Sequence, residues 1–296
     1  MKIKIEGATI VFNALGYTLI TLLALFCLLP FWLIIAGSFT SEVTILQEGF
    51  NLFPKVFSLE AYRVVFSTPG QIERAYAVTI GITAVGSFLG LFFVSMAGYV
   101  LARKDFVYRN AMSFLIYFTT LFSGGLIPWY IMITKYLHMK DSYLALILPL
   151  MIGAWNIILM KNFMKSIPDS IIESAQIDGA GDFLIYWKLV LPLSTPGLAT
   201  IGLFIALAYW NDWFNAAVFI NTDTKFPLQF LLYKILASAE VLRSRIVGNL
   251  SLSNMEAPTE TLKMAVAVIV TGPIVFLYPF LQKYFVKGLT VGAVKG

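Results

Sequence analysis

IPDSIIESAQIDGAGDFLIYWKLVLPLSTP, residues Ile167 to Pro196, is a polar interruption in a chain that is otherwise apolar enough for a membrane. A spanning helix needs about 20 predominantly apolar residues, and this stretch is too charged to supply them. Its local signals predict a helix instead. Pro168 suits a first turn, and Ser170-Ile171-Ile172-Glu173 has capping-box spacing. Asp169 and Glu173 lie where the helix dipole is positive, and Gly179 and Gly181 supply the stop. The expectation is a short helix of about 12 residues, about 18 Å long, projecting between two membrane spans.

Composition places the rest of the chain in a bilayer. Of 296 residues, 59% are hydrophobic and only 12% charged, too little polar surface for a water-soluble domain. Six segments pass the length test for spans: about Val11–Ala36, Ala75–Leu101, Ala111–Ile133, Tyr143–Met160, Leu191–Trp210 and Met264–Leu281. The N-terminal apolar run is too long for a cleaved leader and lacks a small-residue cleavage site, so it is expected to remain as the first span. Gly86 and Gly90 form a G-x-x-x-G in the second span, which predicts close contact with another helix. Gly124-Gly125-Leu126-Ile127-Pro128 interrupts the third, which requires protein or water to satisfy the freed backbone. Leu59–Phe66 suits a short amphipathic helix, and Asn211–Leu262 reads as a long external polar stretch.

Basic residues set the orientation. Eleven of the 21 Lys and Arg residues, among them Arg103, Lys104, Arg109, Lys161 and Lys165, fall in the shorter loops on one side. Their density predicts both termini and the 167–190 loop in the cytoplasm. The net charge of +5 is scattered rather than clustered on a face, which excludes a nucleic-acid partner. Cys27 is the sole cysteine, so no internal disulfide forms.

Chemistry-bearing groups are scarce. No span core carries an acid or base, which argues against a proton- or sodium-driven carrier. His138 stands alone and cannot build a metal site. There is no phosphate-cradling Gly-rich loop and no serine elbow, so neither ATP binding nor catalysis is expected in this chain. Any uphill transport must draw energy from another subunit.

The central loop names that subunit by resemblance. Glu173-Ser174-Ala175, three residues, Gly179, nine residues, Leu189-Val190-Leu191-Pro192 resembles the EAA loop of ABC-importer permeases, differing at Ser174 and Leu189 alone. Gly124 to Tyr130, Trp210 to Phe214, Pro227-Leu228, Tyr278 to Phe285 and Gly292 to Gly296 are similar to carbohydrate permeases of the maltose-permease type, especially those for oligosaccharides.

The resemblance implies an all-α, six-span type I importer fold as one domain over 1–296, with a coupling loop at 167–190 and a cytoplasmic tail at 288–296. It implies a bacterial cell-membrane location, a second homologous permease, two ATP-binding subunits holding ATP and Mg, and an extracytoplasmic solute-binding protein. Glu173, Ser174, Ala175, Asp178, Gly179 and Gly181 take the coupling role, and Val294, Lys295 and Gly296 a further ATPase contact. Sugar chemistry favours aromatic faces with amides and carboxylates, so Trp155, Asn156, Trp210, Asn211, Asp212 and Trp213 are candidates for the substrate path. Their alternative reading is an interfacial Trp belt with Asn satisfied between helices. A permease for a non-sugar solute, or a membrane scaffold or channel, are the competing functions.

Overall fold

The structure is a computed structural model that describes residues 7–67, 69–248 and 259–275. In chain order the helices begin with α1 (Gly7–Ser38), α2 (Glu42–Glu48), α3 (Glu60–Val65), α4 (Gln71–Ala102) and α5 (Arg109–Leu121). They continue with α6 (Leu126–Ile131), α7 (Leu144–Met151), α8 (Ala154–Met164), α9 (Asp169–Ile177) and α10 (Asp182–Ile185). The remainder are α11 (Leu191–Leu193), α12 (Thr195–Trp210), α13 (Phe214–Phe219), α14 (Leu228–Gly248) and a helical run over residues 260–275, α15. Met132–Tyr136 and Tyr186–Val190 are π-helical turns. No strand occurs among the described residues.

Among the described residues, two helices, Val11–Ser38 and Gln71–Ala102, are long and apolar enough to cross a membrane unbroken. Three bent pairs of described helices are long and apolar enough when taken together: Arg109–Leu121 with Leu126–Tyr136 at 111°, Leu144–Met151 with Ala154–Met164 at 46°, and Asp182–Leu193 with Thr195–Trp210 at 83°. Each bend has a local cause. Gly125 at φ 85° breaks the first, Ile152 leaves helical geometry after Pro149 in the second, and Ser194 precedes Pro196 in the third. The fifth predicted span therefore begins at a sharp corner rather than as one rod from Leu191. α15 contains the start of the sixth, whose predicted end lies outside the described residues.

The chain divides into two compact units, one from the described parts of Met1–Pro69 and Lys234–Pro273, the other from those of Gly70–Tyr233 and Ile274–Gly296. In the first, α1 is almost wholly exposed, with 6% of its span buried, and its apolar surface suits lipid or a partner helix. Its last turn is packed tightly. A methyl on Gly37 would come within 2.1 Å of the Met264 sulfur, and Ser38 Oγ lies 2.9 Å from the Tyr62 hydroxyl on α3.

Glu42, buried in α2, accepts hydrogen bonds from the backbone N–H groups of Glu260 and Thr261, each at 2.9 Å, and from the Thr261 hydroxyl at 2.7 Å. These are the orphan donors at the start of α15, so a carboxylate distant in sequence does the work of an N-cap. Burial pushes the Glu42 pKa up, but those hydrogen bonds outweigh it and hold it below the ordinary value.

The second unit is built on α4, which packs against α7, α8 and α12. Its small residues permit the approach. A methyl on Gly86 would come within 2.4 Å of the Tyr209 ring, on Gly90 within 2.8 Å of the Met151 carbonyl oxygen, and on Gly98 within 2.6 Å of Met160 Cγ. The predicted G-x-x-x-G contact is thus made, and its partners are helices of this same chain. The predicted polar stretch Asn211–Leu262 is corrected: α13 and α14 occupy much of it, and Phe219, Phe226, Leu228, Phe230, Leu231 and Leu232 are buried. Local polarity in the sequence concealed an apolar helix face. The predicted helix at Leu59–Phe66 is α3.

Candidate functional site

α9 carries the loop motif, and its start differs from the sequence expectation. Pro168 is the N-cap, with extended ψ of 132° and no side-chain cap, and Asp169 is the first helical residue. Ser170 consequently lies inside the first turn, so the predicted capping box is not formed. The end follows the expectation at Gly179. Gly179 adopts φ 78°, its N–H reaches the Gln176 carbonyl at 3.0 Å, and the Ala180 N–H reaches the Ala175 carbonyl at 2.9 Å. This reciprocal pair is a Schellman turn, which needs a left-handed residue where Gly179 stands. It closes the helix at nine residues rather than about 12. Gly181, at φ −73°, caps the next helix instead.

No residue of α9 is buried. Glu173, Ser174, Asp178, Gly179 and Gly181 are exposed, and Ala175 is half-buried. Nothing lies within 4 Å of where a Gly179 side chain would begin. Beside these polar positions stand apolar ones that sequence reading passed over. Ile177 is 86% exposed, and Phe183, Leu184 and Trp187 are exposed too, with Phe183 and Trp187 stacked at 6.3 Å. Their helical spacing after Asp182 was the available signal. Such a patch on a water-facing loop marks a contact surface.

The knob is bolted to the membrane helices at its base. Ile185, Tyr186 and Val190 are buried, and the Tyr186 hydroxyl meets Ser95 of α4 at 2.7 Å. Arg103, just past α4, donates to the Tyr99 hydroxyl at 2.9 Å, pairs with Asp105, and reaches Asp182 at 3.0 Å. Hydrogen bonding to Asp105 raises the Arg103 pKa, and the same contact lowers that of Asp105. Lys104 pairs with Asp169 at the start of α9. A cleft of about 510 Å³ lies between the ends of α4 and α8 and the inner face of α9, with Glu173, Ile172 and Gln176 on its wall.

The substrate-path candidates separate into two groups. Trp155, 65% exposed, and the half-buried Asn156 sit at the start of α8, beside the α7–α8 bend. Trp210 to Trp213 end α12. Trp210 is buried near Tyr76, Asn211 accepts from Gln229 Nε2 at 3.1 Å, and Trp213 stacks on Tyr233 at 4.7 Å. Asp212 accepts from the Asn215 backbone and side-chain N–H groups, and burial raises its pKa. Val294, Lys295 and Gly296 lie outside the described residues.

A chain of helices apolar enough for a membrane, with several sharp bends, an internally packed small-residue helix and an exposed short helix on a buried base, is a fold to compare with known transport subunits. The family model of the binding-protein-dependent transport system inner membrane component matches residues 90–291, and this chain belongs to that family. It is 43% identical to the polygalacturonan/rhamnogalacturonan transport system permease protein YtcP of Bacillus subtilis, over 96% of this chain and 98% of that one. Protein LplC of the same organism is 44% identical over 91% of this chain and 90% of its own. Among solved structures, a chain of a bacterial ABC transporter involved in the import of the acidic polysaccharide alginate superposes with a TM-score of 0.76 at 31% identity, covering 95% of this chain and 98% of that chain. The chain is therefore a transport subunit rather than an enzyme, and ATP hydrolysis belongs to a separate subunit.

Proposed function

We propose that this chain forms, with a second homologous permease, the path by which a complex carbohydrate enters a bacterial cell, driven by two ATP-binding subunits docked on α9. The substrate class rests on relatives named for polygalacturonan, rhamnogalacturonan and alginate. The coupling role rests on one observation: α9 has no buried residue, while Ile185, Tyr186 and Val190 after it are buried and the Tyr186 hydroxyl is tied to Ser95 of α4. An exposed handle on a fixed base passes a pull to the helices below instead of absorbing it.

Glu173 offers a carboxylate to a basic partner residue, Ala175 and Gly179 leave room for close approach, and Ser174 and Asp178 complete the polar face. ATP and Mg stay in the partner. Closure of the ATP-binding pair favours one of two membrane states, because that state alone presents α9 at the closed spacing. The corner at Ser194 redirects this movement into α12, and the sugar path opens to the other side. Val294, Lys295 and Gly296 add a second contact to the ATPase, with both termini and the 167–190 loop cytoplasmic in a single permease domain. A solute-binding protein delivers substrate on the opposite face, and Trp155, Asn156 and Trp210 to Trp213 line its route.

Gly179→Asp is the direct test. A Cβ there meets no atom of this chain, and the left-handed backbone adds only local strain of about 1–2 kcal/mol, so a loss of transport in a normally folded variant arises at a partner surface. Uptake and substrate-stimulated ATP hydrolysis disappear while membrane insertion is normal. Normal uptake in that variant removes α9 from the mechanism.

A further inference from the structure

The cleft behind α9 holds more positive charge than its own residues neutralise. Five cations and three carboxylates line it. Arg103 and Lys104 are consumed by Asp105 and Asp169. Arg109, Lys161 and Lys165 remain beside the single carboxylate of Glu173, and among the described residues no ion pair engages any of the three. Among the described residues Lys161 Nζ has only a hydroxyl partner, Ser113 Oγ at 2.6 Å, and that hydroxyl is itself donating to the Arg109 carbonyl. Three cations facing one cleft repel one another, and an anion entering between them relieves that cost.

The surroundings identify the source of the anion. α5 begins at Arg109 with no acidic residue in its first turn and no side-chain cap, so its free N–H groups and dipole add to the positive field. Beyond that turn α5 has no buried residue and presents Phe114, Leu115, Phe118 and Leu121 outward. The cleft thus sits where bent and straight spans end, with an apolar helix face running away from it. A free phosphate matches the first feature only. A phospholipid matches both, its phosphate among the three cations and its acyl chain along α5.

We propose that Arg109, Lys161 and Lys165 bind the phosphate of an anionic phospholipid headgroup. Lipid held there would pack against the knob's base and set its position relative to the membrane.

Native mass spectrometry of the full-length chain, purified in mild detergent with its accompanying subunits, reads this directly. Phosphatidylglycerol and phosphatidylcholine are titrated separately into wild type, Lys161→Gln/Lys165→Gln and Lys161→Arg/Lys165→Arg. Wild type retains phosphatidylglycerol in preference, the Gln pair loses about fivefold in affinity for each charge removed, and the Arg pair keeps the preference. Lys188→Gln, which removes a charge outside the cleft, leaves binding unchanged and controls for net charge. Equal retention of both lipids, or an undiminished preference in the Gln pair, overturns the proposal. Displacement of phosphatidylglycerol by millimolar inorganic phosphate assigns the cleft to a free anion and overturns the lipid reading.

Discussion

Two glycines of this chain do opposite work. Gly179 is required for its own backbone: φ is 78°, and nothing lies within 4 Å of where a side chain would begin. Gly90 is required by its neighbours: it sits in the middle of α4, and a methyl there would meet the Met151 carbonyl oxygen at 2.8 Å and Ile205 Cγ2 at 3.3 Å. The first closes a helix in water and leaves a surface for a partner. The second lets helices of one subunit approach until their backbones touch. A transport subunit driven from outside needs both, since a pull on the knob is useful only where the helices beneath it move as packed bodies.

The largest effect is expected at Gly90. Gly90→Leu places four carbons against a carbonyl that belongs to the α7 end and cannot turn aside, so the second unit loses its packing. Thermal unfolding in detergent shows little folded protein. Gly81→Leu on the same helix, where nothing lies within 4 Å, unfolds as wild type does. Similar behaviour of the two variants would break the contrast between packing glycines and open ones.

Gly179→Asp comes next and acts on transport rather than on folding. Its cost to the chain is the left-handed backbone alone, on the order of 1–2 kcal/mol. Uptake assays and unfolding curves measured together separate the two glycine roles: Gly90→Leu fails both, and Gly179→Asp fails the first.

Glu42→Gln probes a helix terminus secured from a distance instead of locally. The buried carboxylate accepts from three N–H or O–H groups of Glu260 and Thr261 and from the Thr259 hydroxyl. Gln retains one acceptor and brings two donors among donors, a loss of about 1–3 kcal/mol. Because the folded pKa lies below the ordinary value, the contribution is complete at neutral pH and fades as pH falls through the folded value. Wild-type melting temperature is therefore flat down to about pH 5 and falls below about pH 4 more steeply than that of Glu42→Gln. Equal slopes would show that the carboxylate charge contributes nothing.

The smallest effect belongs to Lys104→Ala. Its pair with Asp169 is exposed on both sides, and such pairs contribute under about 1 kcal/mol. A melting temperature close to wild type is expected, in contrast to Gly90→Leu.

The loop was legible because its determinants are local. Pro168, Asp169 and Gly179 act through backbone geometry within a few residues, so the helix and its stop could be read directly. The capping box failed for a related reason: Pro168 takes the cap position, and Ser170 falls two residues too late to serve. The exposed Phe183, Leu184 and Trp187 escaped notice because an apolar residue in a membrane chain carries no mark of whether lipid, protein or water surrounds it. The same ambiguity hid the buried face of α14 inside a stretch that looked polar.

By itself the sequence determined that this chain lives in a membrane, crosses it repeatedly, and carries a short helix in its central polar stretch. Apolar length, glycine and proline placement, and charge along the chain are enough for that, since they act over one helix at a time. The tertiary structure alone decided that Gly86, Gly90 and Gly98 face helices of their own subunit, that Glu42 caps α15, and that Arg109, Lys161 and Lys165 share one cleft. Those facts depend on which residues distant in sequence are brought within a few ångströms, and no local propensity encodes that distance.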